Sequence, residues 1–316
     1  MEDEMELRQV ETFLAVAEEL SFSRAASRLG YVQSSVSAQV ASLERQLGAP
    51  LFDRLGRRIS LTDAGRVMFR YSGRLLSLAE ETREAVADAG AGSGEVTGKL
   101  TVSAPETLLT YRLPRLLALF HERHPKVRLS VRPSEVGRLM GSMRQGVEEG
   151  VVDVAFILDG PVEVPGLCVE SLLEERVSVI APGDHVLACA ASVAPKDLWG
   201  ETVLLPETPE PGGCAYRGQF ERQLAAAGVV PPEKMEFQSI EAVKQCVAAG
   251  MGVSALISVA VDTHPLDGKV ATLPWEEPFE VFTQMVWHEQ RWQSPALKAF
   301  LSTAREAFSV ATAPIA

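Results

Sequence analysis

The chain has 316 residues, enough for two or three domains, and its 46% hydrophobic and 23% charged residues are ordinary for a globular protein. It contains no run of 18 apolar residues and no apolar segment near its acidic start, so it predicts neither a membrane span nor a signal peptide. The formal charge of −12 excludes a chain that is basic throughout, but residues 20–70 carry eight arginines against three acids. The sequence therefore predicts a compact, DNA-contacting head on an acidic body.

The predicted elements begin with a helix-turn-helix. Apolar residues recur at helical spacing over residues 7–20 and predict the first helix. Ser21 is the predicted N-cap of a short second helix, which ends at Gly30, where a left-handed residue is needed. A third helix, predicted to begin at Gln33 or Ser34 and to stop at Gly48, completes the unit.

The two sides of this third helix differ in character. One side is an apolar stripe, whereas the other carries small residues that let the backbone approach base edges closely. Hydroxyls in the first turn suit phosphate, and Gln33 reaches a base edge from the same end. The alternative is that these serines only cap a solvated helix. The stripe is Val36, Val40, Leu43 and Leu47, and the outward residues are Ser34, Ala38, Ala41 and Arg45, with Ser42 beside them.

A short hairpin is predicted after the third helix, with strands Leu51–Arg54 and Ile59–Thr62. Arg57 and Arg58 at its tip would contact the DNA backbone or the minor groove, although alone such a pair would indicate only a solvated turn. The predicted DNA contacts are Ser23, Gln33, Ser34, Ser35, Ser37, Ala38, Arg45, Arg57 and Arg58.

A long helix, capped by Thr62 or Asp63, is predicted to run to about Ala89. Two apolar series with seven-residue spacing predict a seam that pairs with a second copy of the chain, which would present two heads to a two-fold symmetric DNA site. The alternative is that the stripe packs on its own domain. Residues 90–94 predict a flexible joint. The series are Ala64, Tyr71, Leu78 and Ala85, and Met68, Leu75, Thr82 and Ala89.

Strands and helices alternate over residues 98–316, which predicts a parallel α/β sheet and a second lobe that repeats the arrangement. Pro114 lies inside the predicted helix Thr107–His124, either tolerated there or marking its true start. The predicted strands are Leu100–Ser103, Val127–Val131, Val152–Leu158, Glu236–Ser239 and Gly252–Ile257, with a helix from Ile240.

Ligands of such sheets bind beyond the carboxyl ends of strands, near helix N-termini. Free helix N–H groups and hydroxyls there suit a small organic anion, although each could be a cap with no ligand. Phe156 is predicted to end the third strand. The predicted effector contacts are Ser103, Ala104, Glu106, Thr107, Ser134, Phe156, Gly213, Cys214, Ser239 and Ile240.

The motifs in their order resemble the LysR-type transcriptional regulators. They are A-A-S-R-L (25–29), Q-S-S-V-S-A-Q-V-A-S-L-E-R-Q-L-G (33–48), L-F-D-R (51–54) and R-R-I-S-L-T-D-A-G (57–65), with a looser match over the rest of the chain. The resemblance implies an α/β multidomain protein with a winged helix-turn-helix, a dimerising linker helix and a two-lobed effector domain like periplasmic binding proteins. It also implies dimers that pair into tetramers, with base and phosphate contacts at Gln33, Ser34, Ser37 and the wing arginines.

Two positions bear on what this resemblance implies. Many members have Arg after the serine that corresponds to Ser37, whereas this chain has Ala38, which predicts a different sequence preference. Thr107 matches a ligand-contacting hydroxyl of the family.

The implied function is a sequence-specific, cytoplasmic promoter-binding regulator whose DNA binding is modulated by a small molecule. Its expected partners are double-stranded DNA, the effector, further copies of the chain and RNA polymerase, with no membrane and no cofactor.

Redox sensing is an alternative, because Cys214 falls near the reactive cysteine of peroxide-sensing members. Arg217 and Arg222 are close in sequence and would lower the pKa of its thiol. The resolving cysteine of those members lies nine residues on, where this chain has Gln223. The four cysteines are far apart, form no C-x-x-C pair and predict reduced thiols.

Enzyme motifs are missing from the sequence: it has no H-E-x-x-H, G-x-S-x-G, P-loop or Rossmann glycine pattern. His121 and His124 flank acids, but Pro125 ends that helix, so a solvated helix end is expected there rather than a metal site. We therefore predict a protein that is not an enzyme. A remaining alternative is an α/β ligand-binding protein or enzyme whose basic head serves protein contacts.

The predicted organisation has four parts: a DNA-binding domain (1–62), a linker helix (63–90), a hinge (91–97) and an effector domain (98–316). The effector domain is predicted to contain lobe I, at about 98–168 and 275–310, and lobe II, at about 169–274.

Overall fold

The computed structural model describes residues 5–55, 58–90, 95–134, 147, 151–206, 215–262, 268–277 and 279–311. The described chain forms two compact units. The first begins with three helices, a hairpin and a long helix: α1 Leu7–Glu19, α2 Phe22–Leu29, α3 Gln33–Leu47, β1 Phe52–Leu55, β2 Arg58–Leu61 and α4 Asp63–Gly90.

The ends of the head helices follow the sequence. The hydroxyl of Ser21 accepts a hydrogen bond from the backbone N–H of Arg24 and caps α2. Gly30 and Gly48 end α2 and α3 with φ of 70° and 67°, a left-handed conformation in which a Cβ would be strained. Thr62 caps α4, because its hydroxyl accepts the N–H of Gly65 at 2.9 Å.

The core of the head lies where α3 crosses α1 and the hairpin. Val36, Val40 and Leu43 of the predicted stripe are fully buried, and the rings of Phe13 and Phe52 approach to 5.3 Å. The inward assignment of Leu47 is wrong, because this last residue of α3 is 44% exposed at the end of the helix.

The two apolar series of the predicted α4 seam lie in different environments. Met68 is buried in the core of the head, so the prediction that it pairs with another chain is wrong. Leu75 is half-buried and packs against the same core. Tyr71 and Leu78 of the other series are 52% and 59% exposed. The side chain of Ala89 and residues 91–94 of the predicted joint lie outside the described part of the chain.

The second unit is built on a five-stranded sheet in the order β4-β3-β5-β12-β6. The first three strands are parallel, but β12 is antiparallel to both of its neighbours, so the expected parallel sheet is in fact mixed. Strand β12 follows the other four by more than a hundred residues and enters the sheet in the direction opposite to β5 and β6. The strands are β3 Gly98–Ala104, β4 Val127–Pro133, β5 Val154–Asp159, β6 Leu167–Glu174 and β12 Phe282–His288.

The helices of this first lobe are α5 Glu106–Tyr111, α6 Leu113–Arg123 and α10 Pro295–Ala311. The single helix predicted over 107–124 is thus two helices, because Pro114 in the first turn of α6 has no N–H to continue the helix before it. Strand β6 belongs to the sheet of the first lobe, so this part of the lobe ends at Glu174 and not near residue 168 as expected.

The second lobe contains the antiparallel sheet β10-β7-β11 and the parallel pair β8-β9. No helix among the described residues is long and apolar enough to cross a membrane. The elements are β7 Val177–Pro182, two short 3-10 helices at Val186–Cys189 and Pro195–Leu198, β8 Val203–Pro206, α7 Ala215–Ala226, β9 Lys234–Phe237, α8 Ile240–Ala248, β10 Ser254–Ile257, α9 Ser258–Asp262 and β11 Val270–Pro274.

Candidate nucleic-acid interface and effector site

The orientation of α3 is fixed by two polar contacts with α1. The hydroxyl of Thr12 donates a hydrogen bond to Oε1 of Gln39 at 2.6 Å, and Nε2 of Gln9 donates to the hydroxyl of Ser42 at 3.2 Å. Ser42 therefore faces α1 and not outward as expected. Together with the apolar stripe, these bonds determine which side of α3 faces away from the head.

The outward side of α3 consists of small residues ending in one arginine. Ser34, Ala38 and Arg45 are exposed and Ala41 is half-buried. Val32, which has no hydroxyl, is the N-cap of α3, so the serines of the first turn are not its caps. The remaining predicted contacts on the helices are Gln33 and Ser23, which are exposed, and Ser35 and Ser37, which are half-buried.

The positive charge of the head is smaller than its arginine count suggests. Arg24 and Arg28 pair with Glu19 and Glu18 at 3.1 Å and 2.5 Å. Arg45 forms no ion pair with any described residue. Its charge therefore faces solvent on the outward side of α3.

The hairpin is attached to α3 through one carboxylate. Oε1 of Glu44 accepts hydrogen bonds from the backbone N–H groups of Leu51 and Phe52, at 2.7 Å and 3.3 Å. The strand register runs as far as the pair Leu55–Arg58. Arg57 and the side chain of Arg58 lie outside what the structure describes.

In the first lobe, Ser134 carries a buried hydroxyl that lacks a hydrogen-bond partner among the described residues. Its backbone N–H donates to the carbonyl of Ala104 at 2.9 Å, which joins the ends of β4 and β3. Ser103 and Thr107 on either side of this point are also buried, whereas Glu106 is exposed. The structure therefore brings Ser134 together with the predicted residues at the end of β3.

The second-lobe residues lie at the start of α8. Ser239 is its half-buried N-cap, and no hydrogen bond of the cap engages its hydroxyl. Ile240 is buried in the core of this lobe. Gly213 and Cys214 lie outside the described residues.

The placement of Phe156 corrects the prediction. Phe156 is in the middle of β5, which continues to Asp159, and it is fully buried. Its ring centroid lies 6.2 Å from that of Phe300 on α10. Phe156 is therefore a core residue beneath the sheet rather than the end of a strand.

Sequence reasoning missed an ion pair at the crossing between the lobes. The side chain of Glu175, between β6 and β7, is fully buried and accepts two hydrogen bonds from the guanidinium of Arg112. The hydroxyl of Thr283 donates to the same carboxylate at 2.7 Å. No local signal points to this group, because its partners are 63 and 108 residues away.

A second polar group was also missed. Tyr111 on α5 donates a hydrogen bond from its hydroxyl to Oε1 of Glu241 on α8, at 2.7 Å. Nζ of Lys244 donates to the same oxygen at 2.6 Å. Burial, followed by the hydrogen bond to Glu241, raises the pKa of Tyr111 well above its usual value.

Two family models match this chain: the bacterial regulatory helix-turn-helix of the lysR family over residues 7–66, and the LysR substrate binding domain over residues 93–309. The chain belongs to the LysR family. It is therefore a DNA-binding transcriptional regulator with an effector-binding domain, and its family consists of regulators rather than enzymes.

Relatives resemble the regulator over nearly their whole length. The HTH-type regulator YwqM of Bacillus subtilis (strain 168) is 39% identical and covers 96% of this chain and 100% of its own. GltR of the same strain is 31% identical, and the match covers 97% of this chain and 98% of GltR. A full-length OxyR variant from Pseudomonas aeruginosa is 25% identical, with a TM-score of 0.72 and coverage of 97% and 95%. CbnR complexed with its target DNA has a TM-score of 0.69 at 22% identity, covers 96% and 100%, and shows the shared fold.

The redox alternative lacks its resolving thiol in the described part of the chain. Gln223, nine residues after Cys214, lies on α7 and accepts the indole N–H of Trp275 at 2.8 Å. Gln223 thus ties α7 to the residue that follows β11. A disulfide between Cys214 and position 223 is not possible in this chain.

Proposed function

We propose that this regulator recognises its promoter through α3 and the wing, and that a small organic molecule bound between the two lobes changes that recognition. The buried hydroxyl of Ser134 carries the second part of the proposal. A buried polar group without a partner is costly, and a ligand that bonds it removes that cost.

For DNA recognition, we assign the major groove to the outward side of α3. Ser34 and Ala38 leave room for the helix backbone near base edges, while Gln33 can form paired hydrogen bonds with adenine. Arg45, with Ser23, Ser35 and Ser37 nearer the helix starts, is assigned to phosphates. Arg57 and Arg58 are assigned to the DNA backbone or the minor groove beside it.

For the effector, the proposed class is a small organic anion. Ser134 and Thr107 offer hydroxyl donors near the ends of β3 and β4, and Ser239 offers a third from the second lobe. Ser103, Ala104, Glu106 and Ile240 shape the same cleft, and Gly213 and Cys214 are assigned to its second-lobe wall. A ligand that prefers one separation of the lobes shifts the population toward it and re-spaces the DNA-binding heads.

For assembly, we propose that the exposed half of the α4 seam pairs with a second copy of the chain, giving dimers that associate into tetramers. Tyr71 and Leu78 present an apolar face along a helix of 28 residues, about 42 Å long. The proposed parts remain 1–62, 63–90, 91–97 and the effector domain from 98. The complex would act in the cytoplasm, on promoter DNA and with RNA polymerase.

The experiment couples the two parts of the proposal. DNA upstream of the protein's own and neighbouring genes is tested by gel shift, and small carboxylates are screened by thermal shift on the full chain. A carboxylate that raises the melting temperature should also change the affinity for DNA, and Ser134→Ala should abolish both effects of the ligand while retaining DNA binding without it. Thr110→Ala, an exposed site on the same helix as Thr107, is the control. An unchanged ligand response in Ser134→Ala would contradict the assignment.

A further inference from the structure

Tyr111 is a first-lobe residue whose ring reaches into the second lobe. It ends α5, which connects two strands of the five-stranded sheet. Its ring nevertheless packs against the second-lobe cluster that contains Ile240 and Ala260. The side chain therefore spans the boundary between the lobes.

In the second lobe, Lys244 fixes the carboxylate of Glu241 that accepts the hydrogen bond of Tyr111. Lys244 is only 1% exposed, and its ammonium donates to the carbonyl of Ala260 at 2.7 Å as well as to Glu241. A buried ammonium is stable only when it is paired and hydrogen-bonded. These contacts orient the Glu241 carboxylate through second-lobe atoms alone.

The hydroxyl of Tyr111 completes the group from the other lobe. It donates to the Glu241 oxygen that Lys244 already contacts, and the ammonium lies 5.5 Å from the centre of the tyrosine ring. Separation of the lobes would break the contacts of Tyr111 and leave the Lys244–Glu241 pair intact. The three side chains thus form a contact between the lobes to which the first lobe contributes Tyr111.

We propose that Tyr111 is a positioning residue that fastens the first lobe to the Glu241–Lys244 pair and sets the separation of α5 and α8. Thr107 lies one turn before Tyr111 on α5, and Ser239 lies two residues before Glu241. The Tyr111 contact therefore acts directly between these two hydroxyl-bearing helices, in addition to the Arg112–Glu175 pair at the crossing between the lobes. Its existence does not depend on the identity of the effector.

Hydrogen exchange of the full-length protein, measured by mass spectrometry without any ligand, tests this proposal. Tyr111→Phe keeps the ring and removes the hydroxyl. We expect exchange in α5 and in the first turn of α8 to rise on the order of tenfold, the range for one hydrogen bond to a charged group. Amides of β3 and β12 should keep their wild-type rates, because their sheet does not include the contact.

Two further variants make the result decisive. Tyr216→Phe alters the buried tyrosine of α7 and should leave α5 and α8 unchanged. Glu241→Gln retains an acceptor oxygen but removes the charge that pairs with the buried Lys244, so exchange in α8 should rise more than in Tyr111→Phe. Exchange of α8 within twofold of wild type in Tyr111→Phe would overturn the proposal, as would an equal rise across the whole second unit. Because no effector is used, either outcome leaves the proposed effector site to its own test.

Discussion

The head and the effector body place their functional polar groups in opposite environments. In the head, Arg45 and the small residues of α3 face solvent, and the polar contacts of α1 and α3 serve only to orient that surface. In the body, Glu175 and Lys244 are buried and paired within the protein. The proposed DNA contacts can therefore change without loss of stability, whereas the groups that join the lobes are part of the fold itself.

The largest expected effect on stability comes from breaking the buried Arg112–Glu175 ion pair. Arg112→Ala leaves the Glu175 carboxylate buried with only Thr283 and should destabilise the body by about 3 kcal/mol. All four tryptophans lie between residues 199 and 292, so their fluorescence in a urea titration follows the body rather than the head. Arg115→Ala, an exposed site on α6, should change the midpoint little. If the urea midpoint of Arg112→Ala equalled that of this control, the buried pair would not stabilise the body, and the contrast with the solvent-facing groups of the head would fail.

The next effect concerns the head. Arg45→Ala should weaken binding to the gel-shifted promoter fragment about tenfold at low salt and reduce the salt dependence by about one phosphate contact. Its unfolding midpoint should not change, because the side chain is exposed and forms no ion pair with a described residue. Fluorescence anisotropy at several salt concentrations measures both quantities. Arg28→Ala, whose charge is already offset by Glu18, should have the smaller effect.

The smallest effect concerns Asp159, a half-buried carboxylate that pairs with no arginine among the described residues. Burial raises the pKa of Asp159, although the N–H of Gly160 donates to it and acts in the opposite direction. A raised pKa in the folded state stabilises the fold below the unfolded pKa, and this contribution is lost as pH rises through the folded value. Asp159→Asn should therefore raise the urea midpoint slightly at pH 7, with no gain near pH 4. A gain of equal size at both pH values would show that the carboxylate charge is not its cause.

Local rules were sufficient for the elements of the head. Ser21, Gly30 and Gly48 mark helix ends that require particular residues, so the sequence predicts them directly. Leu47 and Met68 show the limit of periodicity. Spacing identifies an apolar face but does not say whether that face meets the same domain, another chain or solvent.

The side-chain contacts between the lobes could not be predicted from the sequence. Glu175 and Arg112 are 63 residues apart, and Tyr111 and Glu241 are 130 apart, so no motif connects them. Phe156 was misplaced because a continuous apolar run does not show where its strand ends. Ser134, in contrast, follows β4 directly, so the sequence could predict it as an effector contact beyond that strand, but its hydrogen bond to Ala104 required the structure.

The position of β12 has a consequence for how the protein is made. This strand lies between β5 and β6 in the five-stranded sheet, yet it leaves the ribosome more than a hundred residues after either of them. Until Phe282–His288 emerges, β5 and β6 have no central strand to join them, whereas the strands of the other lobe are already complete. A nascent chain halted before Phe282 would therefore carry two exposed strand edges, which are sites of aggregation and targets for chaperones.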